Sequence, residues 1–225
     1  MSKNLKQSYF EDDNITEIGI DEAGKGPLFG RVYSAAVILP KDSETFDYSK
    51  MKDSKKFSSE KKREEAAEYI KEHSIAWNIA YADEKYIDKN NIRQATFHAM
   101  HGAIRPLVEQ RKSESLYLLV DGNDFKPFTY FDGKMKYIPD LCIEKGDGKV
   151  CAIAAASILA KVAHDKYISE LCERYPKLDD YYSLNKNKGY GTAKHISGIE
   201  EYGISQWHRA TYKRCKGKPI ITLDR

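Results

Sequence analysis

Four acidic residues stand where regular elements end: Asp21 and Glu22, Asp121, and Asp147. The acidic pair Asp21-Glu22 closes the run Thr16 to Ile20, Asp121 closes Leu116 to Val120, and Asp147 precedes a long apolar stretch. In an open α/β sheet, sites gather at strand ends, so adjacent central strands would bring Asp21 beside Asp121. Clustered carboxylates repel one another unless cations neutralise them. Hard divalent ions such as Mg²⁺ or Mn²⁺ suit that task, each held by one or two carboxylates with water and phosphate oxygens. Each acid also has a plainer reading. Asp147 could be a helix N-cap, and Asp121 before Gly122-Asn123 could be turn chemistry. Adjacent strand residues point to opposite faces, so either Asp21 or Glu22 could simply be solvated.

Other chemistries are poorly served. The chain has no G-x-x-x-x-G-K-[ST] phosphate loop. Ser54 and Ser157 lack a nearby His pattern for nucleophilic catalysis. His98 and His101 lie three apart on an expected helix and read as surface or satisfied side chains rather than metal ligands. Asp165 reads as one half of a structural ion pair in preference to a supporting group for the site. The four cysteines, Cys142, Cys151, Cys172 and Cys215, form no C-x-x-C pair and read as reduced core thiols.

The elements that must position these acids follow from local pattern. Thr16–Ile20 and Val32–Leu39 read as strands around the turn Ala23-Gly24-Lys25-Gly26-Pro27. Ser58 is the expected N-cap of a helix to about Glu72, and Ile75–Ala82 reads as a third strand. Apolar and small residues at helical spacing predict a helix over Ile92–Gln110. Leu116–Val120 is a short apolar run of the kind buried on both faces of a sheet. A fifth strand is expected within Lys136–Ile143, and a buried, alanine-rich helix from Lys149 to about Glu173. Alternating strands and helices with a helical tail indicate an α/β fold.

At 225 residues, 41% apolar and 32% charged, the chain can fill one sizeable domain beneath a charged surface. Sixteen Tyr and eight Phe exclude global disorder. No apolar run approaches the roughly 18–20 residues of a membrane span. The Met1 region lacks the apolar core of a secretory signal, so a cytoplasmic location is expected. Between Lys186 and Lys218 lie eight Lys or Arg against Glu200 and Glu201, interleaved with Tyr190, Tyr202, Trp207 and Tyr212. That composition suits a polyanion with stackable bases, or equally a solvated Lys-rich face. The expected organisation is residues 1–180 as the α/β domain and 181–225 as a basic helical extension of the same compact unit.

The stretch Gly19-Ile20-Asp21-Glu22-Ala23-Gly24-Lys25-Gly26-Pro27-Leu28 resembles the G-I-D-E-A-G-R-G-P-L signature of the ribonuclease HII family. The resemblance continues through Asp53-Ser54-Lys55-Lys56, the I-x-x-A-T-x-x-A-M of Ile92 to Met100, and Val120-Asp121-Gly122. Further matches are Lys145-Gly146-Asp147, Ile153 to Ile158 with Ala160-Lys161-Val162, Gly189-Tyr190-Gly191-Thr192, and His208-Arg209. The matches keep family order across most of the chain.

That resemblance implies a ribonuclease H-like mixed five-stranded sheet flanked by helices, with a helical C-terminal extension. It implies a metal-dependent endonuclease acting on RNA·DNA hybrid and on ribonucleotide-containing duplex DNA, as a monomer. Asp21, Glu22, Asp121 and Asp147 fall on the family's catalytic, metal-binding carboxylates, with two Mn²⁺ or Mg²⁺ ions in the reacting complex. Gly24, Lys25, Gly26, Lys55 and Tyr190 fall on substrate-binding positions. Cutting would occur 5′ to a ribonucleotide, leaving 3′-hydroxyl and 5′-phosphate ends. Lys25 departs from the family, which carries Arg there; a bidentate phosphate contact becomes a point charge. The alternatives are a hybrid-specific nuclease weak on single ribonucleotides, or an inactive hybrid-duplex binder.

Overall fold

The computed structural model describes residues 5–54 and 57–223. Five strands form one mixed sheet: β1 (Ile15–Ala23), β2 (Val32–Ile38), β3 (Ala76–Ala82), β4 (Ser115–Asp121) and, after a separate hairpin of β5 (Thr129–Asp132) and β6 (Lys134–Tyr137), β7 (Asp140–Ile143). Their spatial order is β3-β2-β1-β4-β7. Pairing is antiparallel for β1–β2 and β2–β3, and parallel for β1–β4 and β4–β7. This is the expected α/β architecture.

Helix α1 (Glu60–His73) and helix α3 (Cys151–Arg174) cover one face of the sheet, and α2 (Glu84–Glu109) covers the other. The alternation of β1 divides its side chains between them: Ile18 and Ile20 join the α2 core, while Gly19 and Asp21 face α3. Gly19 is where α3 comes closest. A Cβ there would lie 2.2 Å from the Ala152 carbonyl carbon, so only a glycine lets the start of α3 rest on β1. The alanines of Cys151–Ala160 extend that close contact along the helix, all of them buried.

Several boundaries depart from the sequence reading. The N-cap of α1 is Ser59, one residue later, whose side chain accepts from the Lys62 amide. Helix α2 starts at Glu84, capped by Asp83, and is broken at Asn91, where φ is 67°. The segment expected as one fifth strand is two structures. A hairpin of β5 (Thr129–Asp132) and β6 (Lys134–Tyr137) comes first, and β7 then joins the sheet. Helix α3 begins at Cys151, and Asp147 sits before it in a single 3₁₀ turn, Gly146–Gly148. Asp147 is therefore not the cap of α3.

The C-terminal residues form α4 (Lys177–Tyr182), α5 (Leu184–Asn187), α6 (Ala193–Tyr202) and the short parallel pair β8 (Ile204–Ser205) and β9 (Ile220–Ile221). They share a core with Phe29, Leu28 and the far half of α3. All four cysteines are free thiols, three of them buried.

Candidate active site

The parallel register of β1 and β4 pairs Ile20 with Val120. The next residue on each strand is an acid, Asp21 and Asp121, and both point to the α3 side. Gly146 and Asp147 follow β7, the neighbour of β4. Their backbone N–H groups donate to Asp121 Oδ1 at 2.6 and 3.4 Å. Gly146 has no Cβ, and one added there would lie 2.7 Å from Ile153 Cδ1 and 3.3 Å from Asp121 Oδ1. The close packing of α3 on Gly19 thus seats the Asp147 turn beside the ends of two strands.

Asp21, Glu22, Asp121 and Asp147 line one hollow of about 430 Å³, together with Gly24, Lys25, Gly26, Ser54, Ser157, Lys161 and Tyr190. A neighbouring hollow on the α2 side shares Glu22, Lys25 and Asp121. Asp21 and Glu22 do face opposite ways, as strand alternation requires, yet neither is solvated: Asp21 is 4% exposed and the Glu22 side chain 10%. A third hollow, at the opposite end of β1, holds Glu17. There the Glu17 carboxylate is engaged by the Tyr9 and Phe10 amides and the Ser8 hydroxyl, tying the N-terminal segment to the sheet. Lys55 lies outside the described residues.

Burial, reinforced by the charges of Glu22 and Asp121, pushes the Asp21 carboxyl well above the usual carboxylate range. Ser157 and the Glu22 amide hydrogen-bond to it and work the other way. Ser157 in turn is hydrogen-bonded to Ser54 at 3.0 Å, so Ser157 supports the Asp21 carboxylate and Ser54 backs Ser157. Lys25 Nζ lies 2.5 Å from Glu22 Oε1. Burial pulls this ammonium down, but Glu22, Asp21 and Asp121 more than reverse the effect and hold it above the ordinary lysine value. An excess of buried negative charge is what a hard divalent cation would neutralise. Among the described residues, no group of three or more His, Cys, Asp or Glu is arranged to hold one ion. The donor set fits ions that take one or two carboxylates each and fill the remaining positions with water and phosphate oxygens.

The turn between β1 and β2 is held from beneath by a residue that sequence reading counts among the basic surface charges. Arg209 is fully buried. Its guanidinium donates to the carbonyls of Gly24, Lys25, Pro27, Gly30 and Arg31 and to the Tyr212 hydroxyl, at 2.6–3.2 Å. Gly24 has φ 92°, and a Cβ there would sit 2.6 Å from the buried His164 ring. Asp165 accepts from His164, Lys161 and Arg63, which is the structural ion pair expected of it. Burial pushes the Asp165 carboxyl up, and these partners outweigh it and keep it low.

Tyr190 is 45% exposed, with its ring 5.9 Å from Lys161 Nζ, so it is not a core residue. A Cβ on Gly26 would lie 3.3 Å from that ring, placing the two turns in contact. His98 stacks on Tyr86, and His101 Nε2 bonds the Lys126 carbonyl, which accounts for both histidines without a metal. Nothing local in the sequence marks Arg209 or His164 as interior; only the His208-Arg209 match to a family motif singled out the former.

The family model for ribonuclease HII matches residues 18–215. Ribonuclease HII of Bacteroides thetaiotaomicron is 44% identical over 199 residues, covering 88% of this chain and 90% of that protein. Among solved structures, ribonuclease H2 from Pyrococcus horikoshii OT3 aligns with a TM-score of 0.69 at 22% identity, covering 89% of this chain and 95% of that one. Bst-RNase HIII, solved in complex with Mn²⁺, aligns with a TM-score of 0.59 at 15% identity, covering 84% and 70%. The two structures establish a shared α/β fold of the ribonuclease H kind. The sequence match, which spans all four acids and the Gly24–Gly26 turn, establishes more: the chain belongs to the ribonuclease HII family and is an enzyme of the ribonuclease H type.

Proposed function

We propose that this enzyme is a two-ion endoribonuclease that cuts RNA in RNA·DNA hybrids and cuts 5′ to ribonucleotides embedded in duplex DNA. The products would carry 3′-hydroxyl and 5′-phosphate ends. One observation carries the reading: Asp21, Glu22, Asp121 and Asp147 open onto the same hollow as the Gly24–Gly26 turn and Tyr190. The Mn²⁺ complex of a structural relative supports the choice of Mn²⁺ or Mg²⁺. When bound by these four carboxylates, such ions would supply activation of a water and stabilisation of the leaving oxygen.

The chain's own residues arrange the rest. The Gly146 and Asp147 amides and Ser157 hold the Asp121 and Asp21 carboxylates in place. All peptide bonds described are trans. In a trans peptide the N–H points opposite to the preceding carbonyl. With the Gly24 and Lys25 carbonyls turned onto Arg209, the Lys25 and Gly26 N–H groups face away from it. Those two donors are the groups we assign to the ribose 2′-hydroxyl, which is what separates RNA from DNA. Lys25, and Lys55 by family position, would hold phosphate, and the Tyr190 ring would pack on the sugar at the junction.

We further take residues 1–180 as the catalytic domain and 181–225 as its extension, acting as a monomer in the cytoplasm. Ribonucleotide excision repair and removal of replication primers are the roles this activity would serve. Product mapping on a duplex with one ribonucleotide, beside an all-RNA·DNA hybrid, with and without Mn²⁺, tests the assignment. Cleavage 5′ to the ribonucleotide is expected. Metal-dependent binding without cleavage of either substrate would overturn it.

A further inference from the structure

Two buried histidines, His195 and His208, lie directly behind Tyr190. They are 0% and 3% exposed, and their Nε2 atoms are 3.0 Å apart. The outer nitrogen of each ring has a partner of fixed sense. His195 Nδ1 lies 3.0 Å from the Tyr190 carbonyl, which can only accept. The Ser205 amide, which can only donate, points at His208 Nδ1 from 3.0 Å. His195 must therefore carry its proton on Nδ1, and His208 must carry its own on Nε2. One arrangement alone satisfies all four nitrogens: Ser205 N–H to His208, His208 Nε2–H to His195, and His195 Nδ1–H to the Tyr190 carbonyl. Both rings must be neutral for this, because a proton on both Nε2 atoms would set two donors face to face. Burial pushes both imidazoles below the ordinary histidine value, His208 well below it, in keeping with the neutral pair. Tyr182 and Phe29 close the rings in, with Tyr182 4.7 Å and Phe29 5.0 Å from the His208 centroid.

We propose that His195 and His208 are positioning residues that set the pose of Tyr190 through this directed chain of hydrogen bonds. The Tyr190 carbonyl accepts from the Thr192 amide as well, and the Tyr190 amide donates to the Asn187 carbonyl. The backbone of the turn is thus held at the tyrosine while its ring is left exposed. His208 also precedes Arg209, so two consecutive residues support the two turns that meet at Gly26 and Tyr190. The proposal rests on the reading of Tyr190 as a junction contact only for its consequence in cleavage, not for its effect on the turn.

The test compares His195→Phe, which keeps a ring of similar size and removes both hydrogen bonds, with His195→Asn, whose side-chain N–H replaces the Nδ1 donor. Amide hydrogen exchange at Tyr190 and Thr192 should quicken by about tenfold in His195→Phe and return toward wild type in His195→Asn. Wild-type exchange in a folded His195→Phe protein would overturn the proposal whatever the substrate data show. In cleavage, His195→Phe should reduce the ratio of kcat/KM for a single-ribonucleotide duplex over an all-RNA·DNA hybrid. The reduction should match that of Tyr190→Ala, with no further loss in the double variant. An additive loss, or equal loss on both substrates, would also overturn it. If Tyr190→Ala itself leaves the ratio unchanged while exchange still quickens, the contact assigned to Tyr190 fails and the positioning of the turn stands.

Discussion

Replacing Arg209 by methionine removes the support beneath the Gly24–Gly26 turn while keeping most of the side-chain volume. The guanidinium is fully buried, and its partners are neutral: five backbone carbonyls and the Tyr212 hydroxyl. Methionine relieves the burial of a charge but takes the guanidinium donor from all five carbonyls, of which Lys25 alone keeps the Tyr212 hydroxyl. A buried carbonyl without a partner costs about 1–3 kcal/mol. If water reaches about half of them, the net loss is about 3–5 kcal/mol, the scale of breaking a buried charged network. In a domain of this size each kcal/mol moves Tm by about 2–4 °C. A fall in Tm of about 10 °C or more is expected by circular dichroism, with the protein still folded at 25 °C. Cleavage measured well below that Tm should fall by more than tenfold, because the Lys25 and Gly26 amides are no longer aimed. Arg209→Lys should lie between the two, since an ammonium has three donors at one point and cannot span the fork. A Tm for Arg209→Met within about 2 °C of wild type would refute the reasoning, because the carbonyls would then have other partners.

Asp121→Asn or Asp147→Asn should abolish most cleavage, and Asp121→Asn should do so without lowering stability in EDTA, because its repulsion onto buried Asp21 is relieved; wild-type turnover by either folded variant contradicts the site. Lys25→Ala removes the ammonium paired with Glu22; calorimetric titration without substrate should show Mn²⁺ or Mg²⁺ binding up to about fivefold tighter, the scale of an exposed pair. Gly26→Ala brings a Cβ against the Tyr190 ring and should cut cleavage more than duplex binding, whereas equal losses would make the turn merely structural. His164, His195 and His208 are buried and pushed below the ordinary value of 6.5, chiefly by burial. With their folded values held below that of the unfolded chain, they take up protons on unfolding, so their contribution to stability is full above about pH 6.5 and is lost as pH falls below it, by at most about 1.4 kcal/mol per unit for each. A Tm in excess Mg²⁺ that does not fall between pH 7.5 and 5.5 would contradict this.

The positions of Asp21, Glu22 and Asp121 were legible in the chain because strand ends are written locally, as apolar runs that stop at an acid. Class and sheet size were legible for the same reason. The β5–β6 hairpin was not, since none of its side chains is fully buried and β5 alternates only between exposed and half-buried positions. Nor was the part of α2 before the break at Asn91, since the helical spacing of apolar residues starts only at Ile92, directly after that positive-φ residue. The turn that carries Asp147 could be taken for a helix cap because Asp before an apolar helix is the usual sign of one.

What the sequence determined by itself is which acids sit at the ends of β1 and β4, and that a glycine-rich turn follows the first pair. What the tertiary structure alone decided is how these are held. Arg209 reaches carbonyls some 180 positions away along the chain, and its burial among neutral acceptors cannot be inferred from a basic, tyrosine-rich neighbourhood that reads as surface. The tautomers of His195 and His208 are equally a product of contact, fixed by a carbonyl on one side and an amide on the other. Local sequence sets propensity and periodicity within a turn or a strand. Whether a charge is solvated or enclosed depends on which distant backbone groups the fold brings around it, and those are set by packing of the sheet, α3 and the C-terminal helices together.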